Sequence, residues 1–264
     1  MSAWAVMCSF FLMVTLIRPS SSAADSFIYV GCTRLRYSPA SPYDSNLNSL
    51  LTSLVNSAIS PSLSASFNTF TVSGGRHPSD TVHGLYQCRG DLGPGPRCGH
   101  CVSSAVNQLD DLCPHTCGAA LQLDGCYVKY DNASFLRVQD KSVAYAKCGP
   151  PARPNSDWTT RRDAVLEFIG GGAGQYFRVG GSGSVQAMAQ CTGDLRSGDC
   201  QDCVAEGIER LKDQCGGAEW GDMFLAKCYA RYWEGGKHSQ AWCCRRRLGH
   251  WSVGVLALWV WLAF

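Results

Sequence analysis

Two sets of five cysteines stand at matching intervals in this chain of 264 residues. The first set is Cys88, Cys98, Cys101, Cys113 and Cys126, and the second set is Cys191, Cys200, Cys203, Cys215 and Cys228. A Gly-Asp-Leu follows the first cysteine of each set, and a Cys-Tyr pair closes each set. Cysteines at repeated spacings either bind a metal as thiolates or form disulfides. The shared frame also predicts a tandem repeat with a period of about a hundred residues.

The N-terminus bears on the choice between metal and disulfide chemistry. Residues 3–17 are almost wholly apolar and residues 20–24 are small, which predicts a signal peptide over residues 1–24. An exported chain matures in an oxidising compartment, where cysteines at repeated spacings form disulfides. Zinc at Cys98-x2-Cys101 and Cys200-x2-Cys203 is therefore the weaker alternative, since the two pairs also lie about a hundred residues apart.

No other group of residues in the sequence indicates catalysis, a metal or a cofactor. Cys117 is the odd cysteine within the repeats, and nothing near it is typical of a nucleophile site; it is a free thiol or pairs with Cys243 or Cys244. The charges are nearly balanced, at 23 basic against 21 acidic residues, so no global field favours nucleic acid. The sequence predicts a protein that is not an enzyme and that binds no nucleic acid.

Hydrophobic periodicity predicts the same order of elements in both repeats. In the first repeat we expect strands at residues 27–33, 67–72, 82–88, 119–123 and 126–130, and helices at residues 45–59 and 98–112. In the second we expect strands near 142–148, 176–179 and 185–191, a short helix around 164–169, a helix at 200–214, and closing strands to Tyr232.

Single residues mark the limits of several of these elements. Ser45 is the expected N-cap of the first helix, Pro61 stops that helix, and Asp124-Gly125 predicts a hairpin turn. Mixed strands and helices in this order predict an α+β fold with an antiparallel sheet covered on one face by helices. We expect two such domains, at residues 25–138 and 139–235.

The motif Cys-x8-Cys-x2-Cys at Cys191, Cys200 and Cys203, followed by Cys215 and Cys228, resembles the plant stress-antifungal domain. This domain, also called domain of unknown function 26, is typified by ginkbilobin. The first repeat departs from the motif by one residue, with nine between Cys88 and Cys98. The resemblance implies a five-stranded antiparallel sheet with two helices in each domain.

The resemblance also implies a disulfide pairing, which spacing alone cannot select because six cysteines allow fifteen pairings. In the first domain the implied bonds are Cys32–Cys113, Cys88–Cys98 and Cys101–Cys126. In the second domain they are Cys148–Cys215, Cys191–Cys200 and Cys203–Cys228. Mannose-binding members use an Asn, an Arg and a Glu, whose positions here hold Thr33, Ala120 and Asp131 in one domain and Gly149, Asp222 and Trp233 in the other. The set needed for mannose is therefore absent, although binding of another glycan stays open.

Two such domains behind a signal peptide and before an apolar tail resemble the plasmodesmata-located proteins. Residues 251–264 form a short apolar tail and residues 236–250 a juxtamembrane spacer. The tail has only fourteen residues, or seventeen if Leu248 to His250 are added, which is the lower limit for a membrane span. A removed tail with a lipid anchor and an altered C-terminal end therefore remain alternatives. Asn132-Ala133-Ser134 is the single N-glycosylation sequon in the chain.

The resemblance implies a non-enzymatic cell-surface protein at plasmodesmata that modulates cell-to-cell movement through protein contacts. The expected partners are membrane or cell-wall proteins, including receptor-like kinases and viral movement proteins, together with self-association. The expected location is the plasma membrane at plasmodesmata, reached through the secretory pathway. The alternative is a soluble apoplastic protein that binds glycans or acts against fungi.

Overall fold

A computed structural model describes residues 23–60, 65–152, 156–172 and 174–235. Nearly all of the expected signal peptide, and the whole of the expected spacer and tail, lie outside these residues. Among the described residues, no helix combines the length and the apolar character needed to cross a membrane.

The first domain is a five-stranded antiparallel sheet with two helices. Its elements are β1 (Phe27–Cys32), α1 (Pro42–Ile59), β2 (Phe67–Val72), β3 (Val82–Cys88), α2 (Pro96–Leu112), β4 (Gly118–Leu123) and β5 (Cys126–Asp131). The strands stand in the order β1-β4-β5-β3-β2. The Asp124-Gly125 hairpin is confirmed, since it joins β4 to β5.

The second domain repeats this architecture. Its elements are β6 (Val143–Cys148), α3 (Ser156–Gly170), β7 (Phe177–Ser182), β8 (Val185–Cys191), α4 (Ser197–Cys215), β9 (Trp220–Leu225) and β10 (Cys228–Glu234). The strand order β6-β9-β10-β8-β7 corresponds strand for strand to that of the first domain. The predicted α+β fold in two tandem domains is therefore confirmed. The predicted boundary after residue 138 stays a prediction; it falls in segment 132–142, which holds no helix or strand.

Two predictions about the helices were wrong. α1 is capped by Ser41 rather than Ser45, because Pro42 occupies the first turn and the Ser41 hydroxyl accepts from the Asp44 N–H at 3.3 Å. α3 begins at Ser156, well before the predicted residue 164. Its first turns carry no apolar stripe, but Trp158 is buried against Tyr232, with ring centroids 5.9 Å apart. A tertiary contact therefore sets the start of this helix.

Each helix pair packs one face of its sheet and forms a separate core. In the first domain the fully buried side chains include Leu50 and Leu54 of α1 and Val102 of α2. Burial of each such side chain contributes about 1.5–3 kcal/mol. Gly84 permits close contact between α1 and β3, because a Cβ there would lie 2.5 Å from Leu50 Cδ2. Leu112, the last residue of α2, is apolar but exposed.

Candidate functional site

The structure joins the twelve predicted cysteines in the six implied pairs. In each domain one bond ties the first strand to the C-terminal end of the second helix, as Cys32 of β1 does with Cys113. A second ties the strand before that helix to its first turn, and a third ties the helix to the closing strand. These sulfurs are structural, so none of them is available as a metal ligand or a nucleophile.

Cys117 is the free thiol within the described residues. It lies just before β4, where its carbonyl accepts a hydrogen bond from the Tyr43 hydroxyl at 2.6 Å. Burial, and then the nearby Asp131 carboxylate, raise the pKa of the Cys117 thiol. A thiol with a raised pKa carries little thiolate, so this cysteine has the character of a packing residue.

The two domains meet through equivalent glutamines, each placed just before the first cysteine of its five-cysteine set. Gln190 Nε2 donates to the Cys88 carbonyl at 2.9 Å, and Gln190 Oε1 accepts from the Gly90 N–H at 3.3 Å. In return, Gln87 Oε1 accepts from the Gly193 N–H at 2.9 Å. Each domain thus binds the backbone of the other through the same position of the repeat.

The glycines of the repeated Gly-Asp-Leu allow this close approach. A Cβ at Gly90 would lie 2.4 Å from Cγ of Phe177, and a Cβ at Gly193 would lie 2.7 Å from the ring of Phe67. Phe67 and Phe177 hold equivalent positions at the starts of β2 and β7. The ring of one domain therefore rests on the glycine of the other, in both directions.

A chain of alternating charges crosses the same junction. Asp222 Oδ1 accepts from Arg231 Nε at 2.6 Å, and Arg231 Nη1 donates to Asp124 Oδ1 of the first domain at 2.8 Å. Asp124 also pairs with Arg89, which binds Asp91 at 2.6 Å. The Arg231 and Asp222 side chains are 8% and 9% exposed, so the pair is almost fully desolvated.

The electrostatics keep the Asp124 carboxylate ionised. Burial raises the pKa of Asp124, but Arg231 and Arg89 outweigh burial, so this pKa lies below its ordinary value. Burial likewise lowers the pKa of Arg231, and the Asp222 and Asp124 carboxylates more than reverse this effect. The junction is therefore held by full charges, each of which depends on its partners for compensation.

A second buried ion pair holds the segment between the domains. Lys227 Nζ binds Asp194 Oδ2 at 2.5 Å, with side chains 2% and 3% exposed. Lys227 also donates to the Phe135 carbonyl at 2.9 Å, and the Arg137 N–H donates to Asp194 at 2.8 Å. Segment 132–142 is thereby bound to the second domain rather than free to act as a hinge.

A small cavity of about 30 Å³ lies between the two domains. Tyr29, Gln122 and Tyr127 of the first domain and Gln190 and Phe224 of the second contribute to its wall. Sites for small molecules usually enclose about 300–1,000 Å³, whereas one water needs only about 10–15 Å³. The cavity has room for water but not for a sugar ring.

Both domains match one family of known proteins. Residues 31–133 and 147–234 match the family described as salt stress response/antifungal. Plasmodesmata-located protein 6 of Arabidopsis thaliana is 54% identical over 234 residues, which cover 88% of this chain and 80% of that protein. Plasmodesmata-located protein 7 of the same plant is 56% identical over 228 residues, covering 84% and 74%. The chain belongs to the plasmodesmata-located protein family.

The fold of this chain agrees with that of a relative whose structure has been solved. The crystal structure of the tandem DUF26 ectodomain of the Arabidopsis thaliana cysteine-rich receptor-like protein PDLP5 covers 80% of this chain and is itself covered completely. The two share 45% sequence identity with a TM-score of 0.73. The predicted location of this family member, at the plasma membrane of plasmodesmata through the secretory pathway, is confirmed by its relatives.

The positions aligned with the mannose set hold other residues in this family member, and in the second domain two of them are also blocked. A Cβ at Gly149 would lie 2.4 Å from the Trp220 indole nitrogen, so the ring occupies the space that a longer side chain would need. Asp222 is buried in the ion pair with Arg231 and cannot reach a ligand in solution. In the first domain Thr33 and Asp131 both approach Gly118, but neither is an amide or a guanidinium. That the protein does not bind mannose remains a prediction.

Asn132 follows β5 directly, and its glycosylation stays a prediction of the sequon. The Asn132 backbone N–H donates to the Cys117 carbonyl at 3.1 Å, while Ala133 and Ser134 are exposed. We expect glycosidase treatment of protein from a plant secretory host to increase its electrophoretic mobility. Ser134→Ala removes the sequon without changing Asn132 and should give the same mobility before and after treatment. Unchanged mobility of the unmutated protein would contradict the prediction.

Sequence reasoning missed the residues that join the domains. Asp124 was predicted only as a turn residue, and Arg89, Lys227 and Arg231 were not singled out. The signal that could have found them is the repetition itself. Gln and Gly-Asp-Leu recur around the first cysteine of each set, although neither is required for a disulfide.

Proposed function

We propose that this protein modulates cell-to-cell movement at plasmodesmata as a non-enzymatic, membrane-attached ectodomain that acts through protein contacts. The observation that carries the proposal is the fixed junction between two disulfide-bonded domains. An ion chain, reciprocal glutamines and a bound linker hold the domains in one arrangement. A rigid pair of domains presents a large surface to a partner with little loss of conformational entropy on binding.

The proposed partners are other membrane or cell-wall proteins at plasmodesmata, including receptor-like kinases and viral movement proteins. Attachment is proposed to depend on the apolar residues 251–264, with Arg245, Arg246 and Arg247 near the lipid headgroups. Attachment matters to the proposed function because a freely diffusing ectodomain could not mark a single channel. Plasmodesmal relatives at more than 50% identity support this proposal.

Imaging of a tagged chain tests the proposal. The tag is best inserted between Gly93 and Pro94, where a Cβ at Gly93 meets no atom within 4 Å. The new N-terminus is less suitable, because the Ser26 carbonyl, just after the expected cleavage site, accepts from the Asp124 N–H at 2.8 Å. We expect the full chain to concentrate at cell junctions and to change the spread of a mobile fluorescent protein between cells. A matched chain that ends at Gly235 retains both domains and should appear in the extracellular fluid without this effect.

Two different results would contradict the proposal, one for the location and one for the effect on movement. Recovery of the full chain from the extracellular fluid would overturn the proposal and favour the soluble apoplastic protein. Junctional labelling without any change in the spread of the reporter would leave the location intact and overturn the proposed effect on movement.

A further inference from the structure

The sheets of the two domains have four edge strands, and their surroundings differ. β1 and β6 lie against each other at the domain junction, where the rings of Tyr29 and Tyr145 stack at 6.0 Å. The outer edges are β2 in the first domain and β7 in the second. An outer edge presents backbone N–H and C=O groups that can pair with another strand.

The register shows which backbone groups of β7 are directed outward. The Cys191 N–H donates to the Tyr176 carbonyl at 2.9 Å, so Tyr176 is a hydrogen-bonded position opposite β8. Arg178 and Gly180, two and four residues further along, are hydrogen-bonded positions for the same reason. In an antiparallel pair, hydrogen-bonded and non-hydrogen-bonded positions alternate. Phe177, Val179 and Gly181 therefore direct their N–H and C=O groups away from β8.

The equivalent groups of β2 are partly blocked. The outward N–H of Thr69 donates to Asn68 Oδ1 at 2.8 Å, and Asn68 is held in turn by the Ser57 hydroxyl at 2.9 Å. The second domain has Arg178 in place of Asn68. The Arg178 side chain is buried beneath the helix, where it donates to the carbonyl of Ile169 at 3.1 Å. No comparable side chain covers the outward groups of β7 among the described residues.

Large apolar side chains flank the open edge of β7. Phe168 of α3 is 69% exposed and lies against Gly180, since a Cβ at Gly180 would be 2.8 Å from Phe168 Cδ1. Val179 is 46% exposed on the opposite face of the sheet. An edge strand with apolar groups on both faces is the surface that an added β-strand covers.

We propose that β7 pairs with β7 of a second copy of this chain, antiparallel and about a two-fold axis at Val179. Both exposed apolar groups lie at the centre of the strand, where such an axis passes. Val179 then meets the partner's Val179, Phe168 approaches the partner's Phe168, and Phe177 pairs with the partner's Gly181. The strand brings no exposed charge to the axis, because its single charged side chain, Arg178, is turned inward.

A closed two-fold contact of this kind uses the same patch on both copies, so it makes a dimer and stops there. The central position of Val179 and Phe168 favours a second copy, because only a two-fold contact needs the apolar side chains to lie at its axis. The pairing joins the two sheets edge to edge and removes the open edge of β7. The proposal does not depend on the proposed effect on cell-to-cell movement, since its readout is a covalent dimer.

Cysteine cross-linking in the full chain tests the register. Opposite Cα atoms at a hydrogen-bonded antiparallel position lie about 5.5 Å apart, which is within the range of disulfides. In a Cys243→Ser, Cys244→Ser background, we expect Val179→Cys to give a dimer on non-reducing electrophoresis after passage through a secretory pathway. Gly181→Cys should remain monomeric because residue 181 faces the partner's Phe177, and Thr69→Cys tests the blocked edge as a second control. A monomeric Val179→Cys chain, or equal dimer in all three variants, would overturn the proposal.

A charge at the axis gives an independent measurement. Val179→Lys places two ammonium groups opposite each other and should weaken association of differently tagged full chains by about fivefold or more. Thr69→Lys on β2 is the matched control and should leave association unchanged, with secretion of both variants showing that they fold. Loss of another captured protein in Val179→Lys, while the unmutated chains do not associate, would assign the edge to a different partner and overturn the second copy.

Discussion

We expect Arg231→Met to lower the free energy of unfolding by about 3–5 kcal/mol, the usual cost of removing one partner from a buried ion pair. The substitution leaves the Asp222 carboxylate buried without its cation and deprives Asp124 of one of its two arginines. Denaturant unfolding of the secreted two-domain protein, followed by tryptophan fluorescence, measures the change.

A surface arginine supplies the matched control for this substitution. Arg210 pairs with Glu206 one turn away on α4, and both side chains are about a third exposed. Arg210→Met should change the free energy of unfolding by no more than about 1 kcal/mol, because solvent screens such a pair. Equal losses in the two variants would show that the junction does not depend on the ion chain.

The second large effect is expected from the disulfide that closes the longest loop of the first domain. Cys32 and Cys113 are 81 residues apart, so their bond restricts the unfolded chain by about 4–5 kcal/mol in the chain-entropy account. Cys32→Ala combined with Cys113→Ala should therefore lower the free energy of unfolding by about that amount.

The bond between Cys88 and Cys98 is the internal comparison, since its sequence separation is only 10 residues. The same account predicts a loss of about 3 kcal/mol when both of these cysteines become alanine. Denaturant unfolding of the two double variants, made in the same secretory host, measures the order. A larger loss for the short loop would contradict the entropic explanation for this domain.

Polar contacts with fixed partners add to the aromatic packing between the two domains. Inside a domain, apolar packing and disulfides provide the stability. Between the domains, Gln87, Gln190 and the ion chain supply directional contacts with fixed partners. Directional contacts specify a single relative orientation of the two domains.

The sequence by itself determined the repeat, the fold class and most of the elements. Strands such as Val82–Cys88 were predictable because apolar runs with β-branched and aromatic residues reflect a local preference. The disulfide pairs needed the family resemblance as well, because cysteine spacing is compatible with many pairings. The resemblance to the stress-antifungal domain is specific because the five-cysteine pattern occurs twice in the chain.

The tertiary structure alone decided how the domains meet. Asp124 lies in a predicted hairpin turn, but its partner Arg231 is 107 residues away, in the other domain. The start of α3 depends on burial of Trp158 against Tyr232, which no local apolar pattern indicates. The open edge of β7 follows from the inward turn of Arg178, whereas Asn68 covers the same position in the first domain. Local preferences act over a few residues, so contacts between distant residues appear only when the folded chain brings them together.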